Sequence, residues 1–296
     1  MESATLTLRR LAAGAGFALL AAFWWRYGLT DPHMTADGAA YWGVRDGTLY
    51  EHRWLNELSG GPVPYVYSPA FAQTIWPLVL LPLDLFMALW VAMNLAAVAW
   101  LVGPFVAAAL TWLWPPVGLT NVWAGALYPM MAVALALSLR YPAMWAFQLL
   151  TKVTPGIGLL WHVARREWQA LGWAAVTTVG VVTVSWAVWP DAWSAWIELL
   201  QDGAARTDYP PGTLTVPLSL RLLGAAGIIV VAARSDWRWL LPAGVMLAMP
   251  QVGWSTTVVL LAIPRLWRNA GPGAGRMRWS NWWLRGMDRA ARMRQL

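Results

Sequence analysis

YPAMWAFQLLTKVTPGIGLLWHVARREW, Tyr141 to Trp168, is the stretch on which the fold turns. It is an apolar run that opens after Arg140 and closes at Arg165 and Arg166. A helix crosses a bilayer with about 20 apolar residues, so two full crossings do not fit here. Yet basic residues stand at both ends, and basic flanks favour the cytoplasmic face. The centre holds Lys152, the chain's one lysine, and then Thr154-Pro155-Gly156, a helix-breaking string. The stretch therefore reads as a helical hairpin that enters the membrane and returns. One crossing against the charge rule is the alternative. Irregular backbone at membrane depth is tolerated where protein buries it or where it lines a polar cavity. An ammonium facing lipid would cost about 2.5–3.5 kcal/mol. Lys152 is therefore expected to face a cavity that holds an anion or a carboxylate, or to form a structural pair inside the bundle.

A second stretch repeats the pattern. Arg238 and Arg265 flank the run Trp239–Pro264, which Pro250-Gln251-Val252-Gly253 interrupts. The rest of the chain is built of similar material. Of 296 residues, 59% are hydrophobic and 12% charged, about half the charge of a soluble domain. Further runs are Leu11–Leu29, Pro69–Pro82, Leu83–Gly103, Phe105–Trp114, Val117–Leu139, Ala170–Trp189 and Leu214–Ala233. These predict an all-α integral membrane protein, one transmembrane domain over residues 1–296, with about seven to nine membrane helical segments. No A-x-A-like site closes the first run, so it reads as a membrane helix rather than a signal peptide. Twenty-five tryptophans, many at run ends, suit interfacial anchoring. One or two in loops could instead stack on a sugar ring.

Charge orients the chain. Arg9 and Arg10 place the N-terminus inside, and the arginine-rich segment 269–296 reads as a cytoplasmic tail beside anionic lipid. A nucleic-acid partner is not expected. Two polar loops then fall outside, 30–67 and 190–212, in what is expected to be the plasma membrane. The chain has no cysteine, so neither disulfides nor thiolate ligands arise. His33, His52 and His162 do not have metal-ligand spacing, and no metal or other cofactor is expected. His162, near an inner boundary, reads as structural. A Gly-rich phosphate loop and an Asp-x-Asp pair are also missing.

Four strings in order carry a resemblance: MTADGAAYWGVRDGTLY (Met34–Tyr50), YVYSPAFAQTIWPLVLLP (Tyr65–Pro82), the hairpin string above, and LTVPLSLRLLGAAGIIV from Leu214. Together they resemble glycosyltransferase family 87, membrane enzymes of the GT-C type, and its short actinobacterial members in particular. The resemblance implies a GT-C-like helical bundle whose site lies on the outer face. The donor it implies is a polyprenyl-phosphate sugar, with mannose the expected sugar. The acceptor would be a glycan or glycolipid hydroxyl. It also implies that Asp37, in the first outer loop, is the general base. A carboxylate in reach of a sugar hydroxyl can take its proton as the new bond forms. The leaving phosphate needs cationic donors; Lys152 is the candidate, with Arg206 and Arg221 as helpers. Tyr41, four residues from Asp37, shares its helix face. Tyr41, Tyr65 and Tyr67 are candidates to line the substrate site, with packing as the other role for each. Asp37 could alternatively be a helix cap, and Asp31, before Pro32, reads as a turn.

Two departures stand out. The chain is short for the family, and the polar pair that short relatives carry after the glycine is replaced at Gly125-Ala126-Leu127-Tyr128. Two rival functions follow from the same residues. Broken helices with intramembrane charge also belong to transporters, which would make this a flippase for a lipid-linked sugar. The short length and altered Gly125 region would suit an inactive scaffold subunit.

Overall fold

The computed structural model describes residues 36–47, 49–50, 65–205 and 213–268, with helical positions at 7, 11–12, 14–16, 18–19 and 22. Asp31, His33, His52, Arg206 and the tail 269–296 lie outside the described residues. The described chain is helical and contains no strand, as an all-α membrane protein requires.

Among the described residues three helices are long and apolar enough to cross a membrane: Leu83–Val102, Trp168–Val188 and Leu218–Ser235. Pro104–Leu113 and Tyr128–Ser138 are apolar but shorter. Other apolar runs among the described residues are interrupted. Gly103 adopts φ 93 and Pro104 opens the next helix, so a glycine-only conformation and an N1 proline turn a corner together. Pro69–Val79 begins at Ser68, whose hydroxyl accepts the Phe71 N–H at 3.3 Å, with Pro69 in the first turn. The Tyr-Ser-Pro string is thus, locally, an N-cap and an N1 proline.

Both arginine-flanked stretches fold back on themselves. In the first, helix Met144–Thr151 ends at Lys152, which is extended. A 3₁₀ turn, Thr154–Leu159, and helix Leu160–Arg165 return the chain. Trp145 donates its indole N–H to His162 at 3.2 Å, whereas a straight helix would set those residues about 25 Å apart. In the second, Leu241–Leu247 leads to a break, then to 3₁₀ Ser255–Ala262 and helix Ile263–Arg268. Here Trp239 and Trp267, at opposite ends of the stretch, touch with ring centroids 5.8 Å apart.

The hairpin bases meet at one end of the bundle. Arg165 donates to the Ala233 carbonyl and to Asp236, both at 3.1 Å, and Arg238 donates to Asp236 at 3.2 Å. Because the Trp145 N–H donates to Nε2 of His162, Nδ1 carries the imidazole proton and donates to Glu167 at 2.7 Å. His162 is therefore a fully bonded, buried structural residue. Burial pushes the Glu167 carboxyl up, but the bonds from Arg165 and His162 outweigh it and hold it below its ordinary value.

At the opposite end, Arg221 is buried. Its guanidinium donates to four carbonyls: Val216 at 2.9 Å, Leu247 at 3.2 Å, Met249 at 2.5 Å and Pro250 at 2.8 Å. The fork closes the apex of the second hairpin, where the broken helix leaves carbonyls without partners. This geometry gives Arg221 a structural role in place of the expected phosphate contact. Arg221→Met would orphan those carbonyls, at about 1–3 kcal/mol for each that cannot relax. We expect the thermal midpoint to fall by about 10 °C in a melt of the detergent-solubilised protein. An unchanged midpoint with lost donor binding would return Arg221 to the phosphate.

Trp168–Val188 is the least embedded of the three long helices, with only Ala174 and Ser185 buried. Pro190–Ala205 then lies against the core through Trp193, Trp196 and Leu199, and Trp196 donates to the Val66 carbonyl at 3.3 Å. The core is aromatic: Tyr41, Phe71 and Trp90 are in mutual contact, and Phe86 stacks on Trp90.

Candidate active site

Asp37 stands in the first turn of helix Ala36–Trp42. The first N–H groups of a helix have no partner within it, and here one is used in tertiary docking. Gly38 donates its N–H to the Ala124 carbonyl at 2.9 Å. Gly125 follows with φ +78, and a Cβ there would lie 3.0 Å from the Gly38 nitrogen and 3.2 Å from the Trp90 ring. Glycine is required at Gly125 both by its backbone angle and by this approach. Trp90 fixes the same turn by donating to the Gly125 carbonyl at 2.7 Å. Asp37 is thus set, half-buried, against a rigid turn.

Tyr41, one helical turn on, is wholly buried and donates to the Tyr67 hydroxyl at 3.0 Å. Their rings meet edge to face at 5.3 Å. Tyr50 donates to the Tyr67 carbonyl at 2.7 Å. Tyr65 donates to the Ser68 carbonyl at 3.0 Å and so braces the helix start. The Ser68 N–H in turn donates to the Leu150 carbonyl at 3.3 Å, which seats the first hairpin beside Tyr67.

That contact delivers Lys152. Its ammonium lies 5.4 Å from the Tyr67 ring centroid and 5.1 Å from that of Tyr128. Asp37 is within electrostatic reach of Lys152, Tyr41 and Tyr67. Among the described residues no carboxylate stands at ion-pair distance from Lys152. Next to it, the Thr154 hydroxyl is buried with no hydrogen-bond partner among the described residues, as is Oε1 of Gln148. The lysine is held by the faces of the Tyr67 and Tyr128 rings.

The structure therefore gathers Asp37, Tyr41, Tyr67 and Lys152 at one place. Tyr65 adjoins them with its hydroxyl bonded to backbone, and Arg221 is bound to the other hairpin. Tyr128 is the addition. Sequence reasoning passed it as part of the altered Gly125 string; its signal was a tyrosine at a helix start, directly after a glycine turn and its Ala-Leu pair, followed by proline. Among the described residues no three His, Asp or Glu side chains gather as metal ligands. In outline this is a carboxylate and an ammonium within electrostatic reach of each other beside a group of tyrosines.

Comparison with known proteins adds the following. A model of glycosyltransferase family 87 matches residues 65–283. Tyr65, Tyr67, Tyr128, Lys152 and Arg221 fall inside the match, while Asp37 and Tyr41 precede it. The chain is similar to a polyprenol-phosphate-mannose-dependent alpha-(1-2)-phosphatidylinositol pentamannoside mannosyltransferase of Mycolicibacterium smegmatis, 25% identical over 198 residues. That alignment covers 58% of this chain and 48% of the relative, so the chain spans about half the length of the curated relative it matches. No solved structure matches.

Proposed function

Because the chain belongs to glycosyltransferase family 87, we propose that it transfers a sugar, mannose, from a polyprenyl-phosphate donor to a hydroxyl of a glycan or glycolipid. The observation that carries this reading is the lone ammonium of Lys152, held between tyrosine rings within electrostatic reach of Asp37. In the reaction the acceptor oxygen forms a bond to the anomeric carbon, and the bond from that carbon to the phosphate oxygen breaks. Asp37 takes the acceptor proton. The phosphate leaves with the electron pair, and Lys152 stabilises its charge. A single displacement of this kind inverts the anomeric centre. Tyr41 and Tyr67 orient the two charged groups, and Tyr128 faces the ammonium from the other side.

The protein would work in the plasma membrane with both termini cytoplasmic. The end that carries Asp37 and Lys152 would then face outward, and the ionic cluster of Arg165, Glu167, Asp236 and Arg238 inward. The relative named above supports a lipid-phosphate donor of mannose. The reading requires no metal, so transfer is expected to persist in excess EDTA; its loss would call for a metal-assisted leaving group.

The direct test supplies membranes containing the chain with radiolabelled polyprenyl-phosphate-mannose and follows the label into lipids and glycans. Label appearing in an acceptor fraction supports transfer. Donor bound without any transfer would leave a flippase or a scaffold subunit, and movement of labelled donor across a vesicle bilayer would separate those two.

A further inference from the structure

A groove of about 550 Å³ lies apart from the Asp37–Lys152 cluster, lined by Trp114, Pro116, Thr213, Leu214, Val252, Gly253, Trp254 and Thr257. We infer that it binds a sugar ring of the acceptor glycan, one or more residues away from the hydroxyl that reacts. This inference rests on the transferase reading for the word acceptor, and on the groove's own chemistry for the word sugar.

Position is the first support. The groove forms at the apex of the second hairpin, where the Leu214 N–H donates to the Val252 carbonyl at 2.7 Å. That apex lies at the end of the bundle away from Asp236, as does Lys152 at the apex of the first hairpin. The π-helical turn Gly118–Trp123 bridges groove and cluster. On one side Asn121 donates to the Ser255 carbonyl at 3.1 Å, next to Trp254. On the other, Asn94 donates to the carbonyls of Asn121 and Ala126, at 3.3 and 3.1 Å. Ala124 in the same loop accepts the bond from Gly38, the neighbour of Asp37. A bound glycan running from the groove past this turn would reach the carboxylate.

Chemistry is the second support. The walls combine two indole rings with irregular backbone and threonines. Trp254 is 66% exposed. Neither Trp114 nor Trp254 donates its indole N–H to any described residue, unlike Trp42, Trp90, Trp193 and Trp196, whose N–H groups are bonded to protein oxygens. Thr257 donates to the Trp254 carbonyl at 2.6 Å, so its oxygen can still accept. An isoprenoid tail would cover the rings and offer nothing to the indole N–H groups or to the Thr257 oxygen. A sugar ring offers an apolar C–H face to an indole and hydroxyls to the polar rim. Other tryptophans at run ends serve as anchors, whereas Trp114 and Trp254 line one groove together with Thr213 and Thr257.

The test uses the full chain in nanodiscs with a mannose disaccharide as probe and as acceptor. Saturation-transfer NMR should detect the disaccharide on the wild type. Trp254→Ala and Trp114→Ala should weaken its binding by on the order of tenfold, and Trp254→Phe should retain most of it. The acceptor KM should rise by the same factor in W254A while kcat and the donor KM stay put. Equal binding by wild type and both alanine variants overturns the inference, as does absence of wild-type binding. Displacement of the disaccharide by unlabelled polyprenyl phosphate would assign the groove to the lipid and also overturn it. The two readings fail separately. Trp254-dependent binding without any transfer removes the transferase, and with it the acceptor role. Transfer with an acceptor KM indifferent to Trp254 removes the groove alone.

Discussion

Asp37→Asn should yield a folded protein that binds the lipid donor and transfers its sugar ~10²–10⁴-fold more slowly than the wild type. The substitution keeps the size of the side chain and removes its ability to take a proton. Gly38 and Gly125 hold this helix by backbone contacts, so the variant should keep the local fold. Initial rates from radiolabelled polyprenyl-phosphate-mannose, together with a donor-binding assay on the same preparation, make the comparison. Slow transfer with intact donor binding places the base at Asp37. Equal rates would keep a transferase and move the base to another acid of the outer loops. Lost donor binding would show that Asp37 acts on the donor rather than on the acceptor.

Lys152→Met should weaken donor binding by about 10–100-fold and leave acceptor binding unchanged. Methionine keeps an apolar stem against Tyr67 and Tyr128 while deleting the charge, so loss of packing is small. A hydrogen bond to a charged group contributes about 1.5–3 kcal/mol, which corresponds to that range. Lys152→Arg should recover part of the affinity, because a charge returns with different geometry. Donor affinity unchanged in the methionine variant would sink the role for Lys152. A fall in donor and acceptor affinity alike, with a lower thermal midpoint, would recast it as a structural cation. Tyr128, its ring 5.1 Å from the ammonium, lies where the sequence departs from its short relatives; the same donor assay on Tyr128→Phe reads what its hydroxyl contributes.

Much of this was legible in the residues. Low charge, long apolar runs and arginine at their ends specify a helical membrane protein, because lipid admits little else. The two hairpins were readable because a charge pattern and a break agreed: Arg140 with Arg165 around Pro155, and Arg238 with Arg265 around Pro250. The number of crossing helices was less legible. Runs such as Val117–Leu139 are apolar throughout, and hydropathy does not register the π-turn at Gly118–Trp123 or the positive φ of Gly125. Arg221 shows a different limit. Its carbonyl partners Leu247, Met249 and Pro250 come from the second hairpin, and no local pattern announces that a guanidinium will close a distant apex. Tyr128 was hidden because it reaches Lys152 only through the folding of the loop 118–127. Asp37 and Lys152, by contrast, were singled out by motif and by the cost of a charge at depth, and they lie together.

The paired bases of the two hairpins have a consequence for sidedness. A segment that returns to the face it left adds two helices to the count and nothing to the parity of crossings. The compartments of the residues before and after each hairpin are therefore the same, whatever its hydropathy suggests. Reporter fusions placed after Arg166 and after Arg268 would give the same sign as fusions placed before Tyr141 and before Trp239. Parity belongs to the unbroken helices alone, and a topology drawn by counting apolar stretches would invert everything downstream of each hairpin it mistook for a crossing.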